Sequence, residues 1–423
     1  MDLTVPRGVD DIEPDRYALQ AKVRAAFEEV ARLYNFRLME PASLEHLSIL
    51  RAKSGEDIDK EIYAFKDKGG RDIGLRFEMT AGITRYVCAR KDLRLPVKLA
   101  ASGGIWRYDE PQYGRYRWSH QWDLEIFGPP SVEADAEVID ASMAILKRVG
   151  LPDSTVKVGD RRVVEDFIRK QIGIADEDRV FELMRALDKV EKKTVSELKS
   201  EYSAKGFEGE QVDVLLDFGR LRGAPDDVLA RVAELKLGAS KELVELADIL
   251  DARGVKNVEY NMSIVRGIDY YTGVVFEAAD RKNPRLGSLF GGGRYDALPR
   301  IFGRPDLSAT GAAGGIERIA MSIASHPQAP KLLVYVALAG PQLAKEALKV
   351  QRALRDNDIP CDLSLQPKPL SKQMEDARRT GATWAIIIGE REAKAKAVTL
   401  RNMDTGSESL LPLGEAMGTL KRR

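Results

Sequence analysis

Between Arg16 and Tyr34 apolar residues recur every three or four positions (Leu19, Val23, Ala26, Phe27, Val30, Leu33), which predicts an amphipathic helix with one packed face. FRLMEP follows as a short strand that Pro41 ends. From Gly74 to Thr80 the period shortens to two. Leu75, Phe77 and Met79 point one way, and Arg76, Glu78 and Thr80 the other. The same alternation returns from Ser119 to Phe127, where Trp122, Leu124 and Ile126 oppose Gln121, Asp123 and Glu125. Strands that each keep a polar face suit an antiparallel sheet with one working side.

Helical, charged text occupies about 133–149 and again about 161–253, the second stretch with the character of an insertion. Strand text resumes after Val258 with VVFEA and the glycine cluster SLFGGGRYD, 288–296. SHPQAPK, 325–331, separates two apolar segments and predicts a boundary. Beyond it the expected order is strand 332–338, helix about 341–357, strand 361–365, helix about 371–380 and strand 383–388, a small α/β domain with a mostly parallel sheet. The expected architecture is an α/β multidomain chain: residues 1–327 form an α+β domain carrying the helical insertion, and residues 331–423 form the α/β domain.

Length agrees, since 423 residues exceed one ordinary core. The 66 basic and 66 acidic side chains cancel, so a nucleic-acid partner would have to meet a local patch. In 331–423 there are 16 Lys or Arg against 11 Asp or Glu, an excess of five that an ordinary solvated surface explains equally well. Cys88 and Cys361 lie far apart, and His46, His120 and His326 are scattered, so neither a disulfide framework nor a Cys/His metal site is expected. A reducing cytoplasm fits. The apolar runs LLVYVALA and WAIIIG fall far short of the roughly 20 residues that span a membrane, and the acidic start MDLTVPRGVDDIEPDRY carries no hydrophobic run, so no membrane helix or secretion signal is expected.

The remaining candidates for chemistry are arginines beside glycines: WRYDEPQYGRYRW (106–118), VRGIDYYTG (265–273) and TGAAGGIERIA (310–320). An arginine fork suits phosphate, and glycine lets a ligand or backbone come close. Singly each signal is weak. GGIER alone reads more readily as a glycine turn opening a helix with Glu317 and Arg318 as surface charges, a YY pair is more often core or interface than ligand site, and GGGRYD lacks the ending of a phosphate-binding Walker loop.

In this order the segments stop being independent. The chain resembles the class II histidyl-tRNA synthetase family along nearly its whole length. FRLMEPASLE (36–45) is similar to the first class II motif, LRFEMT (75–80) to the first histidine-site strand, and WRYDEPQYGRYRWSHQWDLEIFG (106–128) to the second motif. RGIDYYTG and GGGRYD resemble the two histidine signatures, GAAGGIER the third motif, and the tail the anticodon-binding domain. Asp109 stands where the family often has Glu, and Phe77 and Met79 where many members have Pro and Gly.

The resemblance implies a homodimeric ligase that joins histidine to its tRNA, tRNA(His), at the expense of ATP, with Mg²⁺ on the nucleotide. It implies Arg107 on the α-phosphate, Asp109 in the ATP site, Arg318 at the β/γ end, and Arg266 between the histidine carboxylate and the α-phosphate. Glu78, Thr80 and Gln121 would take the ammonium, and Glu125 and Tyr271, beside Tyr270, the imidazole. Strand parity puts Glu78 and Thr80 on one face, and separates Gln121 from Glu125 by about 13 Å along theirs. Arg266 and Tyr271 differ in parity, so RGID is expected to turn or bulge at Gly267. The rival reading is a regulatory subunit of ATP phosphoribosyltransferase, against which stand the three arginines 107, 266 and 318 and the full tail.

Overall fold

The computed structural model describes residues 3–52, 56–110, 114, 116–190, 193–238, 240–265, 270–326 and 332–422. Two compact units divide at His326/Pro327.

The first unit opens with the helix Pro14–Leu33, whose buried face is Gln20, Val23, Ala26, Phe27, Val30 and Ala31. Its strands are β1 (Arg37–Met39), β2 (Leu44–His46), β3 (Ala64–Lys66), β4 (Asp72–Leu75), β5 (Val97–Trp106), β6 (Trp118–Gly128), β7 (Thr155–Asp160), β8 (Arg222–Gly223), β9 (Val258–Asn261), β10 (Val274–Ala279), β11 (Ser288–Arg294) and β12 (Ser308–Gly315). Nine of them form one sheet in the order β1-β5-β6-β12-β11-β10-β7-β9-β8, and β2-β4-β3 form a small second sheet. The centre is antiparallel: β5 against β6, β6 against β12, β12 against β11 and β11 against β10.

Each face of the large sheet has its own core. Trp122, Leu124 and Ile126 of β6 join the helices Pro14–Leu33 and Val132–Val149 in one apolar cluster. Phe127, Val275, Tyr270, Tyr271 and Tyr295 share the other with the helix Thr80–Ala89. The polar positions of β6 are therefore covered too: Gln121, Asp123 and Glu125 are buried. Between β7 and β9 the chain runs through helices from Arg161 to Ala252, interrupted by β8, which pairs with β9.

The expected strand at 74–80 is wrong beyond Leu75. Residues 76–79 leave the sheet and Thr80 begins a helix, so Glu78 and Thr80 do not share a strand face. Gly314 and Gly315 of GGIER, read as a glycine turn, are the end of β12, and the helix Ile316–Ala324 follows directly.

The second unit contains β13 (Val334–Leu338), β14 (Cys361–Leu363), β15 (Trp384–Ile388), β16 (Val398–Asn402) and β17 (Glu408–Leu411) in the order β14-β13-β15-β16-β17. β13 is parallel to β14 and β15, while β16 and β17, absent from the sequence reading, extend the sheet antiparallel. Helices Ala344–Arg355 and Leu370–Arg379 occupy the two expected helical stretches.

Candidate active site

The working face of the sheet is built over glycine. On β12, Gly311 pairs with Glu125 of β6 on one side and Gly293 of β11 on the other. A Cβ at Gly311 would overlap the Glu125 carboxylate, and one at Gly293 would come within 2.9 Å of the Tyr271 ring. Glu125 and Tyr271 thus lie side by side across bare backbone, a placement only glycine permits.

Tyr271 stacks on Tyr270 with ring centroids 4.4 Å apart, and Tyr270 meets Tyr295 edge-on at 5.8 Å. Tyr295, overlooked in the sequence, is the residue that closes the group: it is 1% exposed and its hydroxyl donates to Glu125. Burial and the Glu125 charge, with smaller contributions from Tyr270 and Glu78, hold this phenol well above the ordinary tyrosine range, so it remains a donor. A tyrosine ending a glycine-rich strand looks like core from sequence; its hydroxyl's buried acceptor is visible only in three dimensions.

Glu78 reaches the same neighbourhood by another route. Its two oxygens accept the N–H groups of Thr80 and Ala81, each at 2.8 Å, at the start of the helix Thr80–Ala89. Otherwise orphaned helix donors are thereby satisfied, and the carboxylate is fixed at a positive helix end. Arg76, expected beside Glu78, serves the scaffold instead: its guanidinium is buried, donating to Gly104 O at 2.8 Å and to Glu40 at 3.1 Å. Gln121, further along β6, donates to Asp123 at 2.6 Å.

The phosphate-binding candidates sit where the sheet meets loops. Arg107 follows β5 directly and donates from Nε to Phe77 O at 2.8 Å, tying its arm to the segment that carries Glu78. Asp109, two residues on, is half-buried and accepts Arg117 Nε through its carbonyl at 3.2 Å. Arg318, in the first turn after β12, donates to Gly114 O at 3.2 Å and Ser288 O at 3.1 Å. Glu317 is no surface charge. It is 6% exposed and accepts both the backbone N–H of His120, at 2.9 Å, and ring Nδ1, at 2.9 Å, locking the start of this helix to β6. Arg266 and the expected turn at Gly267 lie outside the described residues.

Among the described residues no three His, Cys, Asp or Glu side chains group to hold a metal ion. One carboxylate, Glu277 of β10, lies near Arg318: its Oε2 accepts the hydroxyl of Ser288, whose carbonyl Arg318 binds. A single carboxylate fits Mg²⁺ that draws its other ligands from phosphate and water.

The histidyl-tRNA synthetase family profile matches residues 8–319 and the anticodon binding domain profile residues 333–423. A histidine–tRNA ligase of Thermococcus kodakarensis is 36% identical over 95% of this chain and 94% of its own, and one of Thermoplasma volcanium is 34% identical over 98% of each. The crystal structure of a Nostoc histidyl-tRNA synthetase superposes with a TM-score of 0.87 at 24% identity, covering all of both chains. With a working face laid out on glycine and relatives matching from end to end, the chain belongs to the histidyl-tRNA synthetase family.

Proposed function

We propose that the glycine-floored face of the sheet is the histidine site of an ATP-dependent histidine–tRNA ligase. The enzyme activates histidine with ATP, releasing pyrophosphate, and transfers the histidyl group to the 3′ end of its tRNA. The observation that carries the site assignment is the pair of Glu125 and Tyr271 on adjacent bare strands, with Tyr295 fixing the carboxylate.

An imidazole between Glu125 and Tyr271 has an acceptor for its N–H and a hydroxyl for its other nitrogen, with Tyr270 packed behind. An apolar analogue would leave these buried groups unpaired, and sites of this kind reject such analogues by about 10⁴ or more. Glu78, Thr80 and Gln121 take the ammonium. The buried Glu78 carboxylate supplies the charge, and its bonds to the helix N–H groups prevent it from swinging away. In activation a histidine carboxylate oxygen forms a bond to the α-phosphorus as the bond to the pyrophosphate oxygen breaks. Two anions approach one another, so fixed cations are the main catalytic resource. Arg107 and Asp109 hold the α-phosphate and nucleoside end, Arg318 the β/γ end, and Arg266 bridges carboxylate and α-phosphate. Glu277 would hold Mg²⁺ together with the nucleotide, and the ion would supply positive charge for the outer phosphates. The 331–423 unit takes the anticodon of tRNA(His), and the enzyme works as a homodimer in the cytoplasm. No described helix is long and apolar enough to cross a membrane.

ATP–pyrophosphate exchange across the twenty amino acids tests this reading. Exchange dependent on histidine alone is expected. Exchange driven by another amino acid, or none with any, would overturn it.

A further inference from the structure

We propose that the N-terminal turn Pro6–Val9 and the side chain of Arg117 together form the positioning element of the ATP-binding hairpin, an inference that rests on assigning ATP to the hairpin after β5. Arg117 touches both partners twice. Through its backbone it donates to Gly8 O at 2.7 Å and accepts the Arg107 N–H at 2.9 Å. Through its side chain it donates from Nη1 to Arg7 O at 3.3 Å and from Nε to Asp109 O at 3.2 Å. One residue thereby joins the arm bearing Arg107 and Asp109, the returning arm, and a turn more than one hundred residues away in sequence.

Two further features brace the joint. The Arg117 guanidinium lies 4.0 Å over the Tyr108 ring, a cation–π contact. Tyr108 is held from behind by Tyr63, edge-on at 5.3 Å, and by a bond from its N–H to Glu61 O at 2.8 Å. The turn itself is closed by Val9 N–H to Pro6 O at 3.1 Å, with Gly8 in the left-handed region at φ 87°. That backbone aims the carbonyls of residues 7 and 8 at Arg117, and a β-branched residue at position 8 would strain it. The Arg7 side chain contributes little, because its ion pair with Glu110 is 77% and 76% exposed.

The turn offers ATP only its bond to the hairpin, so its effect must pass through the placement of Arg107 and Asp109. Misplacing a binding group by about 1 Å can cost about 10² in rate, and releasing one of several tethers is expected to cost about tenfold. That cost falls chiefly on ATP, because Glu125 and Tyr271 lie over glycines of β11 and β12 and the bond from Arg107 Nε to Phe77 O is the link from the arm to the segment carrying Glu78.

The test compares four variants, one deletion and three substitutions, with the parent in histidine-dependent exchange, alongside melting temperature. Deleting residues 2–9 should raise KM for ATP about tenfold, leave KM for histidine within twofold and keep melting within a few degrees. Arg117→Lys, which keeps the charge but loses the planar fork, should fall between parent and deletion. Arg7→Ala should match the parent. An unchanged KM for ATP in the deletion would overturn the proposal, as would a parallel rise in both KM values with a lowered melting temperature. Arg107→Ala separates the two levels: if it leaves ATP kinetics intact, the hairpin does not bind ATP at all, whereas a defect there with a silent deletion sinks the turn alone.

Discussion

Tyr295→Phe removes one oxygen from the centre of the proposed histidine site while keeping ring and volume. The hydroxyl donates to Glu125, and both residues are 1% exposed. A hydrogen bond to a charged group is worth about 1.5–3 kcal/mol, and its loss leaves a buried carboxylate short of a donor. Glu125 has little freedom to compensate because it rests on the Gly311 backbone. Without ligand the variant should therefore lose about 2 kcal/mol in denaturant unfolding. Saturating histidine should recover part of that, because the imidazole N–H brings a replacement donor. KM for histidine should rise about tenfold, equivalent to about 1.4 kcal/mol, with KM for ATP unchanged. The phenol ionises well above its ordinary range in the folded protein. A raised tyrosine contributes stability that is intact below its unfolded pKa of about 10 and declines only above it. The difference between variant and parent should accordingly be flat from pH 6 to pH 9. Stability within 0.5 kcal/mol of the parent together with an unchanged KM for histidine would refute the assignment of Tyr295 as the group that holds Glu125, and so would a difference that titrates within that window.

Arg294→Ala breaks the buried pair with Asp135, 2.7 Å apart beneath β11, and should destabilise by about 3–5 kcal/mol in urea unfolding; a loss under 1 kcal/mol would mean that Asp135 carries no charge to be stranded. In the helical stretch between β7 and β9, hydrogen bonds from Lys189 and Lys193 hold the Glu201 carboxyl down at about 2. A depressed carboxylate contributes stability present above its unfolded pKa of about 4.3 and lost as pH falls toward 2, so Glu201→Gln should flatten the acid limb of the stability–pH curve there, and identical limbs would remove the role.

Much of this layout was legible from periodicity. The helix Pro14–Leu33 and the alternation along β6 follow directly from apolar spacing, because both elements bury a continuous face. The stretch 76–80 misled for a physical reason. These residues are buried on every side, and five alternating positions cannot distinguish a strand from a buried turn leading into a helix. Glu78 consequently looked like a strand-face ligand, although it also caps a helix. The glycines of β12 suggested a turn because the cause of their smallness, Glu125 and the Trp122 ring lying against them, is far away in sequence. Glu317 and Tyr295 were missed likewise: a first-turn glutamate and a strand-end tyrosine look ordinary until His120 and Glu125 are placed beside them. β17 carries little periodic signal because it is a short, largely exposed edge strand, whereas β16 does alternate, with Val398, Leu400 and Asn402 buried, but over only five residues.

The glycine pairing of β11 with β12 also limits how this enzyme could be retooled. Pockets walled by side chains are re-dimensioned by trimming or enlarging a gatekeeper. Under Glu125 and Tyr271 there is none to change, since even a methyl group at Gly311 would displace the carboxylate. A variant accepting a bulkier or differently shaped amino acid would have to re-register neighbouring strands, many coordinated substitutions away. With histidine in the proposed site, amino-acid choice is written into backbone, where single mutations would abolish it far more readily than redirect it.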